Sequence, residues 1–157
     1  MSDSISLLAD KPDLIAHVAE MRWREWGHPP EPTDLSWWLA TTTREAGRDS
    51  LPVTFVAVDD SGDAVGAVGL DEFDLDERRD RSPWVTGTIV RHDRRRSGTG
   101  RALMERLEEW AASRGVGEAW VGTEAAKDFY QRCGWAPLET FTAHSGQPVT
   151  ILHKRLT

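Results

Sequence analysis

The chain has 157 residues and a formal net charge of −7 at pH 7, with 39% hydrophobic and 29% charged residues. This composition is typical of a globular protein, and the length predicts one domain over residues 1–157. The acidic balance disfavours a general nucleic-acid or membrane-surface binder, because such proteins usually carry a positive field. A single cysteine, Cys133, excludes an internal disulfide and a multi-cysteine zinc site. With no recognisable signal peptide or membrane span, we expect a cytoplasmic protein that holds no metal.

The first third of the sequence predicts helices. Pro12 fits a first helical turn, apolar residues follow at helical spacing as far as Trp26, and Gly27-His-Pro-Pro ends the pattern. A second helix is predicted around residues 35–39.

The period then changes to that of strands. VTFVAV (53–58) and AVGAVGLDEF (64–73), joined by the turn DDSGD, predict a hairpin of two buried strands. The charged loop DLDERRDRS follows, and WVTGTIV (84–90) reads as a third strand.

The last third predicts alternating elements. A helix is expected over residues 98–114, a strand over 118–123 and a short helix over 124–133. A hairpin over 138–156, turning at Ser145-Gly146, completes the chain. This order predicts an α/β fold, with a mixed sheet and helices packed against it.

The junction between the third strand and the 98–114 helix carries an unusual concentration of positive charge. Its arginines are Arg91, Arg94, Arg95, Arg96 and Arg101. The start of a helix offers unpaired N–H groups and the positive end of the helix dipole, and Gly98 and Gly100 let an anion approach the backbone. The junction therefore predicts a phosphate site. A Walker pattern is absent, and the dinucleotide fingerprint is incomplete because Leu103 stands where a third small residue is needed.

Two motifs identify a family resemblance. Arg95-Arg-Ser-Gly-Thr-Gly100 matches the pattern Arg/Gln-x-x-Gly-x-Gly/Ala, and Phe129-Tyr-Gln-Arg-Cys-Gly-Trp135 is similar to Phe/Leu-Tyr-x-x-x-Gly-Phe/Trp. With the strand before the turn and the helix after it, the chain resembles the small bacterial single-domain members of the GCN5-related N-acetyltransferase (GNAT) superfamily. The resemblance implies a mostly antiparallel, twisted central sheet with one splayed parallel strand pair, flanked by about four helices.

The resemblance also implies acetyl-CoA as cosubstrate, with no metal. Backbone groups of Thr88, Ile89 and Val90 would pair with the pantetheine arm, and Thr123 would make a further contact. The pyrophosphate would be held by the turn, which comprises Arg95, Arg96, Ser97, Gly98, Thr99, Gly100 and Arg101.

The implied reaction is acetyl transfer from acetyl-CoA to a primary amine by direct attack on the thioester. Tyr130, the only tyrosine, corresponds to the family's acid for the leaving thiolate, and a phenol is protonated at neutral pH. The strand WVTGTIV has no carboxylate where many relatives place a glutamate. Glu72 is the first candidate for the general base and Glu118 the second. Either could act through water, and an amine delivered neutral would need no dedicated base.

Two other functions are alternatives to this one. A non-catalytic acyl-CoA-binding regulatory module on the same fold would explain the missing strand carboxylate. A nucleic-acid binder would use the arginine cluster, but confinement of those arginines to one short turn disfavours it. The expected partner is therefore a small-molecule or peptide amine, with specificity set by residues 23–50, 71–84 and the last hairpin. Monomer and homodimer both fit the sequence.

Overall fold

The computed structural model describes residues 3–157 as one seven-stranded sheet with four α-helices. The strands are β1 (Ser4–Leu7), β2 (Val53–Val58), β3 (Ala64–Asp71), β4 (Trp84–Val90), β5 (Glu118–Thr123), β6 (Ala136–Thr142) and β7 (Pro148–Arg155). The helices are α1 (Ile15–Trp26), α2 (Leu35–Arg44), α3 (Thr99–Ser113) and α4 (Lys127–Arg132).

The sheet is mixed, as the sequence predicted. Its strand order is β1-β2-β3-β4-β5-β7-β6, and every neighbouring pair is antiparallel except β4 and β5. Strand β1 was not predicted, because four residues are too few for an alternating pattern to stand out. The helix predicted from residue 124 begins at Lys127, since the Thr123 hydroxyl accepts a hydrogen bond from the Ala126 N–H and forms a turn first.

Helices cover both faces of the sheet. Strand β2 is buried throughout its length and alternates between the two sides. Phe55 belongs to the cluster that contains Leu103 and Leu107 of α3, whereas Val56 belongs to the cluster that contains Val18 of α1. Each fully buried side chain of this kind contributes about 1.5–3 kcal/mol to folding. The core therefore holds β2, β3 and β4 rigidly between α3 and α1.

The parallel pair β4–β5 separates after a short contact. The two strands pair only at Trp84 with Trp120 and at Val85 with Val121. Along the other edge of β4 the register with β3 shifts, so that Gly87 and Thr88 together oppose one residue of β3. Such a bulge bends the strand and increases its twist. The predicted splayed pair is confirmed, and the opening it leaves is the main concave feature of the sheet.

Candidate active site

The opening between β4 and β5 encloses a cavity of about 790 Å³, called here the gap cavity. Its walls are formed by β4, the end of β5 and α4. The structure brings together at this cavity the predicted residues Thr88, Ile89, Val90, Arg95, Thr123 and Tyr130. Residues that are up to 42 positions apart in sequence thus meet in one cleft.

The backbone of β4 forms one wall of the gap cavity. No residue of β4 after Val85 pairs with β5, so this edge of β4 has no strand partner where it lines the opening. The Val90 carbonyl accepts a hydrogen bond from Arg95 Nε at 3.2 Å. An extended ligand arm can add to such an edge as a further strand, with main-chain hydrogen bonds. This is the arrangement predicted for Thr88, Ile89 and Val90.

The bulge in β4 depends on a glycine and a buried arginine. Gly87 has a φ of +59°, a conformation that side chains other than glycine rarely adopt. The Nε of Arg22, a residue only 2% exposed, donates to the Gly87 carbonyl at 3.2 Å, while Nη1 donates to Glu45 at 3.1 Å. Burial lowers the pKa of Arg22 and the charge of Glu45 opposes that shift. Sequence analysis did not single out Arg22, which looks like any charged residue of an amphipathic helix.

The glycine turn forms the entrance to α3. Gly98 is the residue before the helix and has a φ of +89°. Gly100 lies so close to α4 that an added Cβ would come 3.0 Å from a ring carbon of Phe129. The first intrahelical hydrogen bond runs from Ala102 N to Gly98 O, which leaves the amides of Thr99, Gly100 and Arg101 without a helical carbonyl. The turn therefore presents backbone donors, as predicted.

A second cavity of about 370 Å³, the turn cavity, lies beside these donors. Five arginines line it: Arg94, Arg95, Arg96, Arg101 and Arg132. Within residues 3–157, Arg96 and Arg132 take part in no ion pair, whereas Arg94 pairs with Asp3 at 2.6 Å and Arg95 with Glu25 at 2.6 Å. Arg91 is held by Asp93 at 2.6 Å and does not line this cavity. The sequence missed Arg132, although it follows Phe129 by one helical turn.

Two predicted turn residues point their side chains elsewhere. The hydroxyls of Ser97 and Thr99 lie 2.9 Å apart, and Thr99 also donates to Asp3 at 3.1 Å. Neither residue lines the turn cavity. Only their backbone groups are therefore in a position to serve a phosphate.

Tyr130 sits at the base of the gap cavity. Its side chain is 5% exposed, and its hydroxyl donates to the Thr88 hydroxyl at 3.0 Å. Burial is the main reason that its pKa rises to about 12. Phe129 and Trp135 fix the ring by edge-to-face contacts, with centroids 5.0 and 6.4 Å away. The phenol is thus a positioned donor that stays protonated at neutral pH.

A third cavity of about 760 Å³, the acidic cavity, lies between the helices α1 and α2 and the β3–β4 loop (residues 72–83). It shares Trp26, Asp74, Thr86, Gly87 and Glu124 with the gap cavity. The two spaces therefore meet at the bulge of β4.

Asp74 stands where the two cavities meet, and it is the carboxylate that sequence analysis did not identify. Its pKa is raised to about 7, first by desolvation and then by the charges of Glu45, Asp71 and Glu31. Asp74 keeps an exposed surface within the cleft, and the protein around its carboxyl group is the source of the desolvation. The charge of Asp74 also contributes to the raised pKa of Tyr130, so the two groups interact electrostatically.

The β3–β4 loop is tied down at its far end. Arg78 and Arg81 both bond to Glu139 of β6, at 2.6 and 3.1 Å, and the Arg78 guanidinium lies 4.3 Å from the ring centre of Phe141. Leu75 packs against Gly122 of β5. These contacts hold Asp74 over the opening.

The two carboxylates predicted from sequence lie outside the cavities. Glu72 is exposed and lines neither the gap cavity nor the acidic cavity. Glu118 begins β5 and bonds to His153 Nδ1 at 2.5 Å. The sequence predicted that the β3–β4 loop helps to set specificity. It did not predict which of the acidic residues in that loop faces the cleft.

Two other features are absent from the described residues. Among residues 3–157, no group of three or more His, Cys, Asp and Glu side chains is placed to hold a metal ion. None of the helices in the described part of the chain is both long and apolar enough to cross a membrane.

Solved structures with the same architecture are acetyltransferases. The chain superposes on aminoglycoside 6'-N-acetyltransferase complexed with coenzyme A with a TM-score of 0.80 at 17% identity, covering 98% of this chain and 97% of that one. For yncA of Salmonella typhimurium with its cofactor acetyl-CoA, the TM-score is 0.76 at 17% identity, with 100% and 95% covered. Nourseothricin acetyltransferase is 28% identical over 69% of this chain and 68% of its own, with a TM-score of 0.58.

The family can be assigned from the sequence as well as from the fold. A search of curated proteins found no match. The sequence model described as "Acetyltransferase (GNAT) family" matches residues 15–135, which include α1, the glycine turn and the tyrosine element. The chain therefore belongs to the GNAT acetyltransferase family, whose acetyl donor is acetyl-CoA.

Proposed function

We propose that this protein is an N-acetyltransferase that moves the acetyl group of acetyl-CoA to a primary amine of a small molecule by direct attack on the thioester. One observation carries the proposal. Tyr130 and Asp74 both line the gap cavity, next to the free edge of β4. A proton donor and a proton acceptor in one cavity are what acetyl transfer to an amine requires.

The residues fit the donor along its length. The free edge of β4 at Thr88, Ile89 and Val90 suits the pantetheine arm, and Thr123 lines the opposite wall. The pyrophosphate suits the amides of Gly98, Thr99, Gly100 and Arg101, together with the arginines of the turn cavity. Each charge-assisted hydrogen bond there contributes roughly 1.5–3 kcal/mol.

Asp74 is the residue we assign as general base, in place of Glu72. An alkylamine with a pKa near 10.4 loses its proton at neutral pH at a cost of roughly 4 kcal/mol, so a nearby base lowers the barrier. A base is most effective when its pKa lies near the working pH, and the pKa of Asp74 is about 7. Asp74 takes the proton of the acceptor ammonium directly or through one water.

Tyr130 is the residue we assign as general acid, and β4 supplies polarisation. When bound, acetyl-CoA supplies the thioester whose acetyl group is transferred and whose sulfur departs. The Tyr130 phenol holds the proton for that sulfur. The O–H donates to the Thr88 hydroxyl in the structure and would turn from it toward the departing sulfur. A backbone N–H on the free edge of β4 donates to the carbonyl oxygen of the acetyl group.

The comparisons favour a small molecule as acceptor. The neighbours named above carry aminoglycoside and nourseothricin in their names, and another, a chimera built on the spermidine N-acetyltransferase of Vibrio cholerae, superposes with a TM-score of 0.73 at 15% identity over 99% of this chain and 96% of that one. An acidic cavity beside the proposed base suits such amines, because they are cations in solution.

The test is an assay of free thiol with acetyl-CoA and a panel of primary amines, with mass spectrometry of each amine. The proposal expects thiol and an acetylated amine to appear together in equal amounts. Binding of CoA in calorimetry without thiol release from any amine would instead identify the non-catalytic acyl-CoA-binding module.

A further inference from the structure

We infer that the acceptor is a small dication, with one amine that is acetylated and a second ammonium group that stays charged in the acidic cavity. This inference rests on the proposed function and adds to it the substrate class. It follows from the charges and the aromatic rings that line the acidic cavity.

The cavity wall carries more negative charge than its arginines neutralise. Its five carboxylates belong to Glu31, Glu45, Asp71, Asp74 and Glu124, whereas its arginines are Arg22 and Arg44. Both arginines are already engaged. Arg22 lies 3.1 Å from Glu45, and Arg44 lies 3.5 Å from Glu45 and 3.6 Å from Asp71. Within residues 3–157, the other three carboxylates have no cationic partner within the 4.0 Å of an ion pair.

The acidic wall is concave and not flat. The carboxylates enclose a space of about 760 Å³, large enough for a compact organic molecule.

The remaining wall is aromatic and favours an organic cation. Trp26, Trp37, Trp38 and Phe73 line the same space. Trp37 is 45% exposed although its ring meets Trp38 edge-on, with centroids 5.0 Å apart. Indole faces bind ammonium groups and their alkyl chains better than they bind a hydrated metal ion. A diamine with a carbon skeleton satisfies both the rings and the carboxylates.

The reacting amine loses its positive charge before acetyl transfer, because it gives its proton to Asp74. It then has no charge with which to pair with Glu31 or Glu124. A second ammonium group keeps its charge and can pair with these carboxylates throughout the reaction. The second charge should therefore lower KM and leave kcat less affected.

The experiment compares three six-carbon acceptors that differ only at the far end: 1,6-diaminohexane, 6-amino-1-hexanol and 6-aminohexanoate. With the native protein we expect kcat/KM to fall by about tenfold or more from the diamine to the amino alcohol, and further for the carboxylate. The preference should shrink as salt is raised from 50 to 500 mM, because screening weakens charge pairing. Equal kcat/KM for the three compounds would overturn the inference and leave the proposed function standing. Turnover of none of these compounds, nor of any amine in the panel, would overturn the proposed function itself.

Variants locate the second charge. Glu31→Gln and Glu124→Gln are expected to raise KM for the diamine about fivefold each, with little change in KM for the amino alcohol. Asp76→Asn is the matched control, because Asp76 is an exposed acid of the β3–β4 loop that lines neither cavity. The double variant with Glu31→Gln and Glu124→Gln should lose most of the preference for the diamine, whereas Asp76→Asn should keep it. If both variants keep the preference equally, these carboxylates do not bind the ammonium group and the inference is wrong.

Discussion

The two halves of the cleft differ in how the chain builds them. Most of the donor half, with the edge of β4, the glycine turn and the start of α3, comes from one continuous run, residues 84–101. Helix α4 adds Arg132 to this run, and five arginines line the turn cavity. The acceptor half gathers α1, α2, the β3–β4 loop and the turn before β7, and its side chains are acidic and aromatic. One continuous segment fixes the geometry of its part of the site locally. A wall formed by several separate segments changes shape when any one of them changes. The donor half is therefore suited to one fixed ligand and the acceptor half to specificity.

The largest expected effect concerns Tyr130, which serves both halves. Tyr130→Phe removes the proton for the departing sulfur and the bond to Thr88 while leaving the ring packed. We expect kcat to fall by about 10²–10⁴ and CoA affinity in calorimetry to stay within about twofold. Normal turnover by the folded variant would show that the phenol is not the acid.

The next effect separates the two candidate bases. Asp74→Asn should lower kcat/KM by about a hundredfold, because the amide cannot accept the ammonium proton. In the native protein kcat/KM should decline as pH falls through about 7, where Asp74 takes up a proton and ceases to be a base, and this limb should be lost in the variant. Glu72→Gln is the companion variant. If Glu72→Gln lowered kcat/KM about a hundredfold and Asp74→Asn had no effect, Glu72 would be the base, as the sequence analysis first suggested.

A smaller effect is expected at the bulge where the halves meet. In Gly87→Ala the added Cβ would stand 2.7 Å from Arg22 Nη2, and the backbone would remain at a φ of +59°. We expect roughly a tenfold loss of kcat/KM and about 1–3 kcal/mol lower free energy of unfolding. Gly62→Ala is the matched control, because Gly62 also has a positive φ of +87° but nothing lies within 4 Å of its added Cβ. Similar activity in both variants would mean that the bulge does not position reacting groups.

The smallest effect tests the arginines of the donor half. Arg96→Ala and Arg132→Ala should each weaken CoA binding by about three- to tenfold, with less difference at high salt, because both side chains are solvated charges. KM for the amine should not change. Arg155→Ala, at the exposed end of β7, is the control. If both variants bound CoA in calorimetry as tightly as the control does, neither Arg96 nor Arg132 would contribute to CoA binding.

The contrast between the halves also explains what the sequence could predict. Residues 84–101 carry their strand, glycines and helix start in order, so the site at Gly98 and Gly100 follows from local physics. Tyr130 was proposed because a motif marks it, and it lies at the gap cavity. Asp74 and Arg22 were missed, since a charged loop and an amphipathic helix show many equivalent polar residues.

Burial of Arg22 arises only where α1 meets Gly87, 65 positions away, and Glu45, 23 positions away. The position of Asp74 depends on loop contacts with Glu139 and Gly122. Such long-range contacts leave no periodic signal in one sequence.

A crystal structure of the protein with CoA bound would test the central assignment most directly. The account predicts that the pantetheine arm runs along β4 at 88–90, that the pyrophosphate lies on the amides of residues 98–101, and that the sulfur lies within hydrogen-bonding reach of the Tyr130 hydroxyl. A CoA molecule bound away from the gap between β4 and β5, or with its sulfur remote from Tyr130, would contradict it.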